Sequence, residues 1–263
     1  QLLEKAEVSA SVLKKILEKG ILEVYTEAVD RVSFASDSDT WELTPAQQKA
    51  LEEVQEQFNQ KNTVLLQGVA ASGKTLLYSQ LIEQTLAQGK SVLYLVPEVG
   101  LSVQLMNRLE HFFGDKMSVY HGKYSSHERV EVWNNVLANK PKAQFVLGVR
   151  AAVCLPFHDL GLIIVDEEHD LSYKQEQTPP RFQVRDTALM LAHLHGAKTL
   201  LGSATPSAES YYNTQVGKYG FVQLLERYTG IQAPTIELVD LKEKTKKKET
   251  QGHFSDTLLA AIE

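Results

Sequence analysis

From residue 43 onward, short apolar runs alternate with longer stretches in which apolar residues recur every third or fourth position. The runs Val64–Leu66, Val92–Val96, Val119 with Tyr120, Phe145–Leu147, Leu162–Val165 and Thr199–Leu201 are predicted strands. Between the first two, Leu76, Leu77, Tyr78, Leu81 and Ile82 share one face of a predicted helix. Near-continuous apolar strands separated by amphipathic helices call for an α/β fold: a parallel sheet with helices on both faces. Thr44 followed by Pro45 marks the start of the leading helix, as N-cap and first helical position. Upstream, a helical piece over Leu2–Ala6, a face formed by Val12, Leu13, Ile16 and Leu17 with Lys19-Gly20 closing it, and a β-prone stretch from Ile21 to Val29 predict a small winged-helix unit. The expected division is therefore 1–32 winged helix, 33–42 polar linker, 43–240 nucleotide-binding lobe, and 241–263 linker leading into another element. Within that last part, Lys242–Glu249 reads as a solvated charged run, and Ser255 as the cap of a helix ending near Ile262.

In an open α/β sheet, ligands bind at the carboxyl ends of the strands. The segment after Leu66 is GVAASGKT, made of Gly68, Val69, Ala70, Ala71, Ser72, Gly73, Lys74 and Thr75. It fits the phosphate-loop pattern and lies between a strand and a helix, as that loop requires. Backbone N–H groups and the helix N-terminus favour a polyphosphate there. Lys74 is expected to reach the β- and γ-phosphates, and the Thr75 hydroxyl to bind magnesium.

The strand Leu162–Val165 ends in Asp166, Glu167, Glu168 and His169. Carboxylates at a strand tip are costly without a cation and solvent. Asp166 is suited to hold magnesium and Glu167 to polarise the water that attacks the γ-phosphate. The strand Thr199–Leu201 leads into Gly202-Ser203-Ala204-Thr205-Pro206-Ser207, a small hydroxylic tip able to hydrogen-bond to the acidic cluster. Gln47 suits either an adenine-reading position or an ordinary solvated place on a helix.

Other strand ends carry Ser102, His121-Gly122 and Arg150, which suit contact with a nucleic-acid backbone or simply form turns. Between the acidic and hydroxylic tips, Tyr173, Lys174, Pro179, Pro180, Arg181 and Phe182 interleave aromatic and basic residues, a pattern suited to base stacking or to burial.

Composition narrows these readings. A formal net charge of -6 over 263 residues argues against coating nucleic acid by bulk charge, while leaving room for a local basic groove. The single cysteine, Cys154, cannot form an internal disulfide or a multi-cysteine zinc site, and is expected as a small core residue. No apolar run approaches the ~20 residues of a membrane span and no signal-peptide layout is present, so the cytoplasm is the expected compartment.

GVAASGKT, LVPEVGLS, DEEH and GSATPS together resemble motifs I, Ia, II and III of superfamily 2 helicases and translocases. The wider blocks LVPEVGLSVQL, YHGKYSSHERVEVW, VLGVRAAVCLPF, VDEEHDLSYKQEQTPPRFQVRD and LGSATPSAES are similar to the PriA family of primosomal replication-restart helicases, over about 43–240. The resemblance implies a RecA-like lobe preceded by a winged helix. It also implies ATP and Mg2+ as cofactors and 3′ to 5′ DNA helicase activity in replication-fork restart and primosome assembly. Gln47 would read adenine, His169 with Ser203 and Thr205 would couple ATP to DNA, and Asp170–Asp186 would be the family's aromatic-rich loop. Implied partners are forked or single-stranded/duplex junction DNA, primosome proteins and single-strand binding protein, with no membrane. A second helicase lobe with arginine fingers, a zinc module, a C-terminal domain and a domain for the DNA 3′ end are implied outside this chain. Two departures stand out: Ala70-Ala71 where the family often has Thr-Gly, and GVRAA where GTRSA is usual. Other classes fitting the residues are a related repair or restriction translocase and a non-catalytic nucleotide-responsive adaptor.

Overall fold

The computed structural model describes residues 42–97, 100, 102–122, 124–176, 179–228 and 237–262. The chain divides between residues 41 and 42, and only the second unit contains described residues. The expected winged helix and most of the expected linker thus lie outside the described residues, as do Glu98, Val99 and Leu101 after the second strand.

Helix α1 (Pro45–Gln60) starts as its sequence predicts. The Thr44 hydroxyl accepts from Gln47 N–H while the Gln47 side chain accepts from Thr44 N–H, a reciprocal capping box. Strand β1 (Thr63–Gly68) leads through the glycine-rich loop into α2 (Lys74–Ala87), followed by β2 (Ser91–Leu95). Then come α3 (Val103–Phe113), β3 (Met117–Tyr120), α4 (Ser126–Leu137), β4 (Phe145–Gly148) and β5 (Leu160–Val165). A short hairpin of β6 (Lys174–Gln175) and β7 (Phe182–Gln183) precedes α5 (Val184–His195), β8 (Lys198–Ser203), α6 (Ala208–Gln215) and β9 (Gly220–Leu224).

Among the described residues, seven strands form one sheet in the order β3-β4-β2-β5-β8-β1-β9, and every pairing is parallel. Alternate residues of each strand enter opposite core layers, as the two-residue repeat of a strand dictates. Val64 and Leu66, Val92 and Tyr94, and Leu162 and Ile164 join α1, α2 and α3 on one face. Leu65, Leu93, Val146, Ile163 and Leu201 join α4 and α5 on the other. Burial on both faces explains why the predicted runs of β1, β2, β4, β5 and β8 read as apolar, whereas β3, at one edge, has no fully buried residue.

Strand β9 was not among the predicted runs. It is an edge strand of five residues with Gln223 exposed, so it lacks the continuous apolar signature of its neighbours. Beyond it, the lysine-rich segment forms α7 (Leu241–Lys246), with ion pairs Lys244–Glu249 at 2.7 Å and Lys247–Glu243 at 2.5 Å. A small hairpin of β10 (Thr250–Gln251) and β11 (Phe254–Ser255) then leads to α8 (Asp256–Ile262). Ser255 accepts from Leu258 N–H at 3.2 Å, in the capping role its sequence position suggests.

The strand order decides where the chemistry gathers. β8 lies between β5 and β1, so the acidic tip, the hydroxylic tip and the glycine-rich loop leave the sheet side by side. At about 4.8 Å between neighbouring strands, the ends of β5 and β1 are roughly 10 Å apart.

Candidate nucleotide and magnesium site

Every turn of the glycine-rich loop has a local cause. Gly73 adopts φ 81°, and a Cβ there would sit 2.2 Å from the Gln47 amide nitrogen. A Cβ on Gly68 would lie 2.8 Å from the Lys74 stem, so the lysine folds across residue 68 because no side chain obstructs it. The Lys74 ammonium donates to the Gly68 carbonyl at 2.9 Å and lies 3.8 Å from the Glu167 carboxylate. Val69 N–H donates to the Leu224 carbonyl at 3.1 Å, and Ala71 C=O accepts from Tyr228 N–H at 2.9 Å, which ties the loop to the edge strand. Gly73 gives α2 no side-chain cap, leaving the first turn of a 14-residue helix without a side-chain acceptor of its own. Ser72 Oγ is buried with no hydrogen-bond partner, one residue before the glycine that precedes α2.

Gln47 is not the solvated glutamine that an exposed helix face would give it. It is 1% exposed, and its amide nitrogen donates to the Ser72 carbonyl at 2.9 Å. Its side chain thus bridges the start of α1 and the loop, with oxygen and nitrogen both engaged by protein groups.

Asp166 leaves the end of β5 into a ring of tyrosines. Tyr78 of α2 donates to Oδ1 at 3.0 Å, Tyr94 of β2 donates to Oδ2 at 3.1 Å, and the Tyr173 hydroxyl donates to the Asp166 carbonyl at 2.7 Å. Burial, helped by the neighbouring Glu167 carboxylate, raises the Asp166 carboxyl above its usual range, opposed by Lys74 and the two hydroxyls. Burial and the Asp166 charge push the Tyr78 and Tyr94 phenols well above their ordinary value, so both remain protonated donors. Glu167 adopts φ 45°, a left-handed backbone for a non-glycine residue of the kind that concentrates at working sites.

His169 joins the acidic tip to the hydroxylic one. Its Nδ1 is 2.7 Å from Ser203 Oγ and 3.7 Å from Glu167, and its Nε2 is 3.4 Å from Thr205 Oγ1. Glu167, His169, Ser203 and Thr205 therefore form one chain of contacts across β5 and β8.

Glu168 corrects one expectation. It needs neither solvent nor a bound cation, because it is 0% exposed and fully engaged by the protein. Arg185 donates to Oε2 at 3.1 Å, Ser207 and Ser210 hydroxyls donate to the same oxygen at 3.0 and 2.8 Å, and Ser207 N–H donates to Oε1 at 2.7 Å. Neither Arg185 nor Ser210 was singled out in the sequence. An arginine one residue before an aspartate reads as ordinary surface charge, and nothing in the spacing announces its partner.

The family profile for DEAD/DEAH box helicases matches residues 44–214, from the cap of α1 to the end of α6. The chain belongs to the DEAD/DEAH box helicase family. Among relatives of this helicase chain, "Replication restart protein PriA" of Bacillus subtilis (strain 168) is 35% identical over 270 residues, covering 100% of this chain and 33% of the relative. The protein of that name from Chlamydia trachomatis is 36% identical, covering 100% of this chain and 36% of the relative. The one from Synechocystis is 37% identical, covering 99% and 32%. The chain thus spans about a third of the length of these relatives. The fold is that of solved helicases. A structure of RecG bound to a three-way DNA junction superposes with TM-score 0.51 at 20% identity over 82% of this chain and 26% of that one. The DUF1998 helicase MrfA bound to DNA superposes with TM-score 0.50 at 20% identity over 70% and 27%.

The positions expected to touch nucleic acid are more scattered in this helicase lobe. Ser102 caps α3, accepting from Leu105 N–H at 3.1 Å. Arg150 is partly buried at the start of a short 3-10 helix and donates to the Ser172 carbonyl at 3.4 Å, beside the segment that follows the acidic tip. Tyr173 is 1% exposed and packs in the core, so in this position it offers no face to a base. Phe182 is half-buried against the same core layer, while Lys174 and Arg181 are exposed, Lys174 pairing with Glu176 at 2.6 Å. Cys154 is also corrected: it is exposed rather than a core residue. The short 3-10 helix Arg150–Cys154 turns Ala152 and Val153 inward and leaves the cysteine outside.

The Ala70-Ala71 departure has a backbone consequence. Ala71 sits at φ 61°, where a Cβ costs about 1–2 kcal/mol relative to glycine. Ala71→Gly relieves that strain but adds entropy to the unfolded chain, worth roughly 0.4–1 kcal/mol. We expect net stabilisation of about 0.5–1 kcal/mol, read as a higher urea midpoint at unchanged slope.

Proposed function

We propose that this chain is the ATP- and magnesium-binding lobe of a 3′ to 5′ DNA helicase acting in replication-fork restart and primosome assembly. One observation carries the reading: Lys74 at the start of α2 lies 3.8 Å from Glu167 at the end of β5, and His169 links Glu167 to Ser203 and Thr205. The cradle between Gly68 and Thr75 fits a triphosphate, with Lys74 toward the β- and γ-phosphates and Gln47 fixing the loop from behind. Thr75 and Asp166 are the residues to hold Mg2+, which when bound would neutralise charge on the phosphates. Glu167 would orient and polarise the attacking water.

Substrate DNA, with forked or single-stranded/duplex junctions, would meet the side of the lobe carrying Arg150, Lys174, Arg181 and Phe182. Primosome proteins and single-strand binding protein are the partners this reading assigns, and the cytoplasm its compartment. No helix among the described residues is long and apolar enough to cross a membrane. Zinc belongs, on the same reading, to parts of the longer protein.

The test is ATP binding and hydrolysis by the 263-residue chain, with and without forked DNA. Magnesium-dependent ATP binding with weak hydrolysis that DNA leaves unchanged is expected, since arginines that stabilise the transferring phosphoryl would come from a second lobe. Strong DNA-stimulated turnover by this chain alone would refute the division of labour, and absence of ATP binding would refute the function itself.

A further inference from the structure

Tyr78 and Tyr94 are core residues by burial, both 0% exposed, yet their hydroxyls serve no packing purpose. Phenylalanine would fill the same space with no polar atom to satisfy. Here each hydroxyl takes a different oxygen of Asp166. The rings meet edge to face, with centroids 5.6 Å apart and an interplanar angle of 77°, so each limits the other's movement. Gly202 of β8 makes room for this arrangement. A Cβ there would lie 1.8 Å from the Tyr78 hydroxyl and 3.3 Å from Asp166 Oδ1.

The two carboxylate oxygens are not equivalent. Oδ1 accepts from Tyr78 and from Glu167 N–H at 3.1 Å, which fills its two acceptor positions. Oδ2 accepts from Tyr94, which leaves it one position to offer a ligand.

We infer that Tyr94, with Tyr78 in support, is a positioning residue for the divalent cation, holding Asp166 so that Oδ2 keeps one acceptor position for it. The inference rests on the proposed function, which assigns Thr75 and Asp166 to magnesium. Tyr94 is the more important of the pair because it holds Oδ2, the oxygen with a position left for a ligand. Loss of the Tyr78 hydroxyl leaves Oδ1 its bond from Glu167 N–H.

The experiment compares the full chain with Tyr94→Phe and Tyr78→Phe. Free Mn2+ is followed by electron paramagnetic resonance as it is titrated against protein with ATP, and binding of a fluorescent ATP analogue is measured in EDTA. Thermal unfolding is recorded for each variant. For Tyr94→Phe we expect Mn2+ affinity to fall at least tenfold, with metal-free nucleotide affinity within twofold of the parent. Tyr78→Phe should show a smaller loss. Unchanged Mn2+ affinity in Tyr94→Phe overturns the inference while leaving the nucleotide site standing. An equal loss of metal-free and metal-dependent binding also overturns it, since that pattern marks a packing role. If Tyr94→Phe does not fold, Tyr78→Phe decides alone: a selective fall in Mn2+ affinity supports the inference and none refutes it. Failure of the parent chain to bind Mn2+ with ATP removes the proposed function and this inference together, an outcome distinct from the others.

Discussion

Replacing Lys74 with alanine is expected to weaken binding of magnesium-ATP by about a hundredfold or more, while the fold survives. A hydrogen bond to a charged group is worth about 1.5–3 kcal/mol, and the Lys74 ammonium can make more than one to a triphosphate. Its side chain is only 10% exposed, so solvent screens these interactions little. Alanine also removes the cation that opposes the rise in the Asp166 carboxyl, leaving Asp166 and Glu167 to repel each other. Lys74→Met separates charge from packing, because it keeps a stem to lie across Gly68. Fluorescence titration with a nucleotide analogue should show both variants equally impaired, and urea unfolding should show Met closer to the parent. A Met variant that binds normally would mean the ammonium is not the phosphate ligand.

The second large effect concerns stability. Arg185→Leu should cost roughly 3–5 kcal/mol, the usual result of leaving one partner of a buried ion pair uncompensated. The Glu168 side chain is 0% exposed and that of Arg185 12%, so neither charge is well solvated. For a domain of this size a loss of that order lowers Tm by about 6–20 °C. The double replacement Glu168→Leu with Arg185→Leu should cost clearly less than the two singles added, because the second substitution removes the orphaned charge. Calorimetry on the four proteins closes the cycle. Additive losses would show that Ser207 and Ser210 alone satisfy the glutamate.

This second network also joins separate elements of the lobe. Glu168 leaves the acidic tip, Ser207 and Ser210 begin α6 after the hydroxylic tip, and Arg185 lies in the first turn of α5, just past the β6–β7 hairpin. Glu168 is thus bonded to the starts of two helices while standing one residue from both Glu167 and His169.

Much of this was legible in the chain itself. Six of the seven sheet strands announce themselves as apolar runs, all but β3 because a parallel sheet covered on both faces tolerates little polarity. The helix start at Thr44-Pro45 is a local structure, governed by residues within a few positions of one another, and the loop from Gly68 to Thr75 is legible as a motif, although Gln47, Leu224 and Tyr228 also hold it in place. The neighbourhood of Lys74, Asp166, Glu167 and Ser203 follows from motif spacing once a parallel sheet is assumed.

What the sequence could not decide depends on residues far apart in the chain. Tyr78 and Tyr94 occupy apolar positions of a helix and a strand, and only the packing of α2 against β2 and β5 brings their hydroxyls to Asp166. The glycine at 202 gains its meaning only beside Tyr78. Glu168 and His169 are neighbours in an acidic run, yet one is sealed around Arg185 and the other stands between Ser203 and Thr205. Of the two uses open to Tyr173, stacking or burial, the fold takes burial, while Cys154, expected inside, lies outside because the short 3-10 helix Arg150–Cys154 turns Ala152 and Val153 inward instead. Sequence by itself determined the fold class and nominated the residues of the candidate site. The tertiary structure decided which carboxylate faces Lys74 and which is sealed around Arg185, since that depends on which partners reach each charge.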